Sequence, residues 1–427
     1  MAEMMRSQRN HWCLVSVLIL VFAAGKVAQA APAKLSMGLD NRYSDNAGKT
    51  ATDTQGDLES KITLQFSKSS DPGVCNSSIG GSLGYGYWYD DTFDPEFYTN
   101  GQFTGVCALS PYFSWQVSDR IQQVTQNSRN ADTPDNRTRK NTFSTGPTYR
   151  LPITDVDTVS FSATFENTEF EESAPTDSNR LSGGVTYSHL FSPTLQGGVS
   201  TSIGRTKLDF GDELDTEAIN LNVSKSWAST NVIGAVGANR LESRSGTQEI
   251  STDGVTFNLR LNRDISDSSS VFVAANRQLT DRTSTIALAF EDFNFNLTDT
   301  SAVEVTAVQA GYRNAFSGGA SFSVGVESSR SDYIESGNTE ESQKATASIS
   351  RPVSGVSSVS ANVSYRLSSF DGGSDDQLVT ASIGYNHRLS QKLSLSSRVG
   401  HENKSSEVSV RDYQENWVSV SINYTFL

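Results

Sequence analysis

The 427-residue chain has no apolar run long enough for a membrane helix; the longest, Leu14–Ala24, covers eleven residues, where about 20 are needed. A helical membrane protein is thereby excluded. Positive charge is scarce too. The 34 Lys and Arg stand against 48 Asp and Glu, a formal charge of −14, and such a chain would repel phosphate backbones. No nucleic-acid partner is expected. Histidine and cysteine are rarer still, at 4 and 3. The sequence contains no H-E-x-x-H, G-x-S-x-G or Cys/His metal spacing, so its residues point to no catalytic site, no metal and no cofactor. His189, His387 and His401 have no Ser or Asp partner that local sequence assigns, and in so Ser/Thr-rich a chain a chance neighbour carries no weight. An enzyme is not expected.

The N-terminus reads as an export signal. Arg6 and Arg9 precede the apolar stretch, and Ala28-Gln29-Ala30 gives the small-x-small cleavage pattern. Residues 1–30 are therefore expected to be removed, leaving 31–427 as a single domain. Three bases and one acid leave with the signal, so the formal charge falls to −16. Cys13 leaves as well. The remaining pair, Cys75 and Cys107, reads as one disulfide in an oxidising compartment, against two unpaired buried thiols as the other reading.

What the chain has in abundance is alternation with period 2. Val418, Val420, Ile422, Tyr424 and Phe426 alternate with Ser419, Ser421, Asn423 and Thr425. Val359, Ala361, Val363 and Tyr365 alternate with Ser360, Asn362, Ser364 and Arg366. Such runs last about 10–14 residues, longer than the 5–6 of soluble strands and enough for a tilted strand to cross a bilayer. Connections alternate between short turns, such as Phe191–Thr194 and Ser390–Lys392, and longer polar stretches, such as Glu171–Ser178, Ser243–Ser251, Asp281–Ser301 and Ser331–Glu341. Tyr149, Tyr187 and Lys225 recur 38 residues apart, which makes room for about ten hairpins.

In lipid every backbone N–H and C=O must be paired, so the sheet must close. The expected fold is all-β: a transmembrane antiparallel up-and-down β-barrel of about 20 strands, within roughly 16–20. The apolar set then faces lipid, with Tyr187, Tyr385, Tyr424 and Phe426 near the periplasmic interface, and the Ser/Thr/Asn/Gly set faces inward. Arg260, Arg366, Arg388 and Arg398 share the inward parity and are candidate lumen residues. The longer loops carry acids, among them Glu171, Glu172, Asp215, Glu340, Glu341, Asp371 and Asp376. These read as a solvated, repulsive surface, with cation bridging to lipopolysaccharide as the other reading. Asp281–Ser301 is odd among them, for it holds Ile286, Leu288, Phe290, Phe293, Phe295 and Leu297. Such a loop should either fold into the barrel mouth or extend the strands as a hairpin.

If Cys75 faces Cys107 across a hairpin, the turn centres on Asp91, within Tyr89-Asp90-Asp91-Thr92. The pair then sits where the hairpin meets the periplasm. A competing parse puts the external loop at Thr92–Gly101; it separates the cysteines by roughly 33 Å along the strands and forbids the bond.

The signal, the hairpin series and the ending Trp417-Val-Ser-Val-Ser-Ile-Asn-Tyr-Thr-Phe426-Leu427 resemble Gram-negative outer-membrane β-barrel proteins. The last strand resembles the signal read by the barrel-assembly machinery, carried by Val418, Val420, Ile422, Tyr424 and Phe426, although Leu427 follows the aromatic. Leu109-Ser-Pro-Tyr-Phe-Ser-Trp115-Gln-Val-Ser-Asp119-Arg120 resembles β-barrel porins found with exopolysaccharide and exosortase systems. The resemblance implies an outer-membrane location, contact with lipid and lipopolysaccharide, and a pore for small solutes or in surface-polysaccharide export. The alternative is a closed structural or adhesive barrel acting through its acidic loops. A transporter of about 22 strands with a plug does not fit in residues 31–427.

Overall fold

The computed structural model describes residues 33–426, apart from 71, 172–176, 210, 282, 284–301 and 372–373. Twenty strands run through them. The first hairpins are β1 (Lys34–Ser44), β2 (Asp57–Ser69), β3 (Cys75–Trp88), β4 (Glu96–Ala108), β5 (Phe113–Thr125) and β6 (Arg137–Pro152). Then come β7 (Asp157–Phe170), β8 (Ser178–Ser192), β9 (Leu195–Leu208), β10 (Glu213–Ser226), β11 (Thr230–Ser245), β12 (Gln248–Ser266) and β13 (Ser269–Asp281). The last are β14 (Ala302–Ala315), β15 (Ser321–Tyr333), β16 (Thr339–Pro352), β17 (Ser357–Phe370), β18 (Ser374–Arg388), β19 (Leu393–Ser406) and β20 (Tyr413–Thr425).

Each strand pairs antiparallel with its sequence neighbours, and β1 pairs with β20 from Ser36↔Thr425 to Ser44↔Trp417, which closes the sheet. Twenty strands at about 4.8 Å spacing and about 40° tilt give a backbone cylinder roughly 40 Å across. Wall side chains alone cannot fill that width.

Period 2 decides the two faces. On β20, Val418, Val420, Ile422 and Tyr424 are 41–46% exposed and point outward, opposite Tyr43, Asn41, Leu39 and Met37 of β1. The other parity carries Ser, Thr, Asn, Gln and Gly toward the axis. Apolar groups facing out and polar groups facing in is the arrangement a barrel adopts in lipid. At one end all connections are tight, and hydroxyls hold them. Phe113 and Leu393 each donate a backbone N–H to a serine Oγ three residues earlier, Ser110 and Ser390, both at 3.0 Å. Tyr149, Tyr187, Tyr385 and Tyr424 ring this short-turn end on the outward face.

The register settles the cysteine pairing. Cys75 lies opposite Cys107, the two are disulfide-bonded, and Asp91 takes a left-handed φ of 53° in the connecting turn. Pro95 ends just outside β4, where it interrupts no ladder.

Two of the long connections turn out to be mostly strand. Ser243–Ser251 is a two-residue turn between β11 and β12, and Ser331–Glu341 shrinks to residues 334–338 between β15 and β16. The acids there do not repel one another freely. Arg244 pairs with Asp215 at 2.8 Å and Glu242 at 3.1 Å, and Arg330 pairs with Glu341 at 3.0 Å. These outward ion pairs mark strands that rise above the apolar band.

Candidate functional site

The two ends of the lumen differ in kind. Within about six residues of the short turns, the inward positions are mostly small and polar, with arginines set among them: Ser358, Ser360 and Asn362 on β17, for example, or Ser419, Ser421 and Asn423 on β20. Toward the other end, the mouth, the same face becomes large and buried. Trp88, Phe170, Tyr333, Phe370 and Tyr413 are each at most 8% exposed there.

Two segments leave the wall to fill this mouth. The first is 126–136, joining β5 to β6. It is built on paired asparagines: the Asn136 side chain donates to the carbonyls of Asn127 and Ala131 at 2.9 and 3.0 Å, and its Oδ1 accepts from the Asn127 N–H at 3.1 Å. The loop so folded reaches the far wall, about half the circumference away. Arg129 meets Glu340 of β16 at 3.3 Å and lies 5.0 Å over the Phe370 ring of β17. Lys404 of β19 donates to the Arg129 carbonyl at 2.7 Å while pairing with Asp376 at 2.9 Å. At the near end Arg137 grips Asp132 at 2.7 Å. Partial desolvation raises the Asp132 carboxyl, but the Arg137 hydrogen bond and charge, backed by Lys49 and Arg366, outweigh it and hold it below the ordinary range. A space of about 320 Å³ remains between the loop and the wall, bordered by Asp132, Glu340, Arg366, Lys404 and Tyr413.

The second segment is the top of the β13–β14 hairpin. The β12–β13 ladder stops at Phe257↔Arg277, whereas β13 stays paired with β14 up to Asp281↔Ala302. Leu279 and Ala302 have outward parity, yet they are buried against the inward-facing Leu208, Leu214 and Leu241. The hairpin top therefore leans into the barrel. Asp281 reaches Arg180 on β8, Lys140 of β6 donates to the Thr283 carbonyl, and Ser178 donates to the Thr283 Oγ1 at 3.1 Å. Burial drives the Lys140 ammonium down to about 8 against the opposing pull of Asp281 and Glu166. Lys140 lies above the apolar band, since its neighbour Arg139 faces outward onto Glu171. The apolar residues Ile286–Leu297 fall outside the described residues.

The β1–β2 connection adds a third element. Lys49 pairs with Glu402 at 2.7 Å, and Arg42 with the buried Glu415 at 2.8 Å. Asp57 accepts backbone N–H groups from Leu58, Asp90 and Thr92, tying this loop to the β3–β4 connection. Burial raises that carboxyl, and the hydrogen bonds overcome it to leave it low.

The four arginines expected in the lumen have inward register positions. Arg366 lies in the mouth, bordering the 320 Å³ space. Arg260, Arg388 and Arg398 lie in the open half; Arg388 donates to the Gly355 carbonyl at 3.1 Å. His189 and His387 have no partner in local sequence but find one across strands. Asp157 Oδ1 meets His189 Nδ1 at 2.7 Å, and Ser357 Oγ meets His387 Nδ1 at 2.7 Å, with Tyr187 and Tyr385 donating to the same Asp and Ser. Among the described residues no carboxylate bonds the His387 ring, so the pair lacks the orienting acid of a nucleophilic triad.

Residues 340–426, spanning β16 to β20, match a sequence family described as "Putative beta-barrel porin 2". No curated protein matches the chain. Among solved structures, similarity extends to the FrpB iron transporter from Neisseria meningitidis (7% identity, 93% of this chain, 83% of that one, TM-score 0.49). A mutant of the ferric enterobactin receptor PfeA from Pseudomonas aeruginosa gives 9% identity, 94% and 81% coverage, and 0.48. In-vitro folded OmpT, an outer membrane protein of Vibrio cholerae, gives 10%, 93% and 100%, and 0.38. The chain is a closed twenty-stranded barrel of transmembrane type whose C-terminal strands resemble β-barrel porins.

Proposed function

We propose that the chain is an outer-membrane pore for passive passage, with the 126–136 loop setting its aperture and no catalytic step. The observation that carries this reading is the contrast along the lumen: a wide, polar, small-residue half below a mouth narrowed by a loop anchored on both walls. Diffusion through such a lumen needs no cofactor, and selectivity follows from lumen charge and constriction. Residues 1–30 act as the cleaved export signal, and β20 presents the strand that the barrel-assembly machinery reads. Outward ion pairs above the apolar band meet lipopolysaccharide. The cargo class on this reading is small solutes or a surface polysaccharide in export.

The test is single-channel recording of refolded protein in planar bilayers. Stable ohmic steps support the pore. Silence from protein shown to be folded supports the second reading, a closed surface barrel acting through its loops. The complete burial of Val303 and Val305 at the mouth favours that alternative.

A further inference from the structure

Charge in the mouth and charge in the open half of the lumen are organised differently. In the mouth, bases sit against acids: Arg42 with Glu415, Lys49 with Glu402, Arg129 with Glu340, Arg180 with Glu166 and Lys404 with Asp376. Paired charges hold loops and cancel one another's field. In the open half, Arg150, Arg260, Arg313, Arg388 and Arg398 have inward register positions, all exposed, and among the described residues none forms an ion pair. Their contacts are neutral: Arg388 to the Gly355 carbonyl, and Arg313 over the Phe272 ring at 5.6 Å.

Their strands, β6, β12, β14, β18 and β19, are spread around the cylinder, so the cations surround the axis. The acids at the same level are fewer. They are Asp40, which accepts the Ser421 hydroxyl, the exposed Asp264, and Glu327, which is 8% exposed, against five arginines. At the rim Lys34 adds a cation and the turn residue Asp267 an acid. Arg313 borders a space of about 790 Å³ at this end together with Asp264 and Asp267, the rest of its lining being largely serines. A chain with a formal charge of −14 thus keeps a locally positive, water-accessible chamber. Enclosed by low-dielectric walls, such a chamber concentrates counter-ions, and rings of Arg or Lys are how pores select anions.

We infer that this chamber is an anion-selecting vestibule and that the cargo is acidic: small anions and, among larger solutes, carboxylate-bearing oligosaccharides. The inference rests on the pore reading above and names its substrate class. Serines and asparagines between the arginines suit sugar hydroxyls, while each guanidinium can donate two N–H groups to one carboxylate.

The test measures reversal potential across a tenfold KCl gradient. The wild-type barrel should reverse on the chloride side of zero, and Arg260→Gln/Arg313→Gln/Arg398→Gln should bring the value to zero or past it while conductance steps persist. A short oligogalacturonate added on the short-turn side should block at a concentration at least tenfold below that of an uncharged dextran of similar length. Channels that reverse at zero or on the potassium side, or equal block by both sugars, would overturn the anion assignment and leave the pore standing. A folded barrel that never conducts would overturn the pore reading, and the vestibule with it.

Discussion

Freeing the 126–136 loop from the far wall should turn a narrow channel into a wide, flickering one. Two charged side chains of that wall hold it there: Glu340, which takes Arg129 at 3.3 Å and the Ser128 hydroxyl at 3.1 Å, and Lys404, which donates to the Arg129 carbonyl at 2.7 Å. At about 1.5–3 kcal/mol each, with charged partners, they favour the seated loop by roughly 4 kcal/mol. That corresponds to about a thousand seated molecules for each displaced one, at tenfold per 1.4 kcal/mol. Glu340→Ala with Lys404→Met removes both anchors, leaves the loop the Phe370 ring under Arg129, and moves the populations most of the way to parity. Asp376 keeps Arg411 at 3.5 Å and the Ser406 hydroxyl, and the wall ladders are untouched, so the barrel should still fold. Planar-bilayer recordings should then show frequent upward steps that the wild type visits on the order of 0.1% of the time. Each single variant should retain one anchor and fall between. If the double variant keeps its heat-modifiable gel mobility and its conductance histogram matches the wild type, the loop does not set the aperture.

Three further outcomes follow from other contacts. Cys75→Ser/Cys107→Ser removes a bridge of sequence separation 32. It should lower the unfolding free energy by roughly 3–4 kcal/mol on the chain-entropy estimate, read as an earlier midpoint in urea; two free thiols by mass spectrometry in folded wild type would contradict the bridge. Burial takes Lys140 from 10.5 to about 8, so between those values the unfolded chain holds a proton the folded barrel has released. Stability should therefore rise with pH across that window, and Lys140→Met should flatten the rise; an equal slope in both proteins would discount the burial. In Gly146→Ala, the new Cβ would stand 1.9 Å from the Ala163 carbonyl oxygen, and the β6–β7 ladder should part locally. Its unfolding temperature should drop by several degrees, and an unchanged temperature would mean the strands spread at no cost.

The barrel was legible in the sequence wherever one face met lipid. Alternation in Val418–Phe426 or Val359–Leu367 is a local property, fixed by which neighbours each side chain has, and strand number followed from the 38-residue hairpin spacing. The cysteine register was legible as one of two parses because a hairpin pairs residues by a constant sum. The mouth was not legible. Arg129 and Glu340 lie 211 residues apart, and nothing near either announces the other. Nor did Ser243–Ser251 read as strand: above the apolar band both faces are polar, alternation vanishes, and the ladder is held by cross-strand charges such as Arg244 and Glu249. Asp376 and Glu340 looked like surface acids for the same reason, since a loop-end acid that turns inward has the same local sequence as one that turns out.

The closure of β1 on β20 has a kinetic consequence. Every other ladder joins strands adjacent in sequence, but Arg42 and Glu415 meet across 373 residues, where Arg180 and Glu166 within one hairpin meet across 14. Loop-closure entropy makes that final encounter dearer by about 3 kcal/mol, and the deficit falls on a single event. Hairpins can accumulate one after another as an open ribbon with two bare edges, each a template for another chain. The interval before the last strand docks is therefore the hazardous part of this protein's life. Substitutions on Ser36–Ser44 or Trp417–Thr425 should lengthen it even where the finished barrel tolerates them.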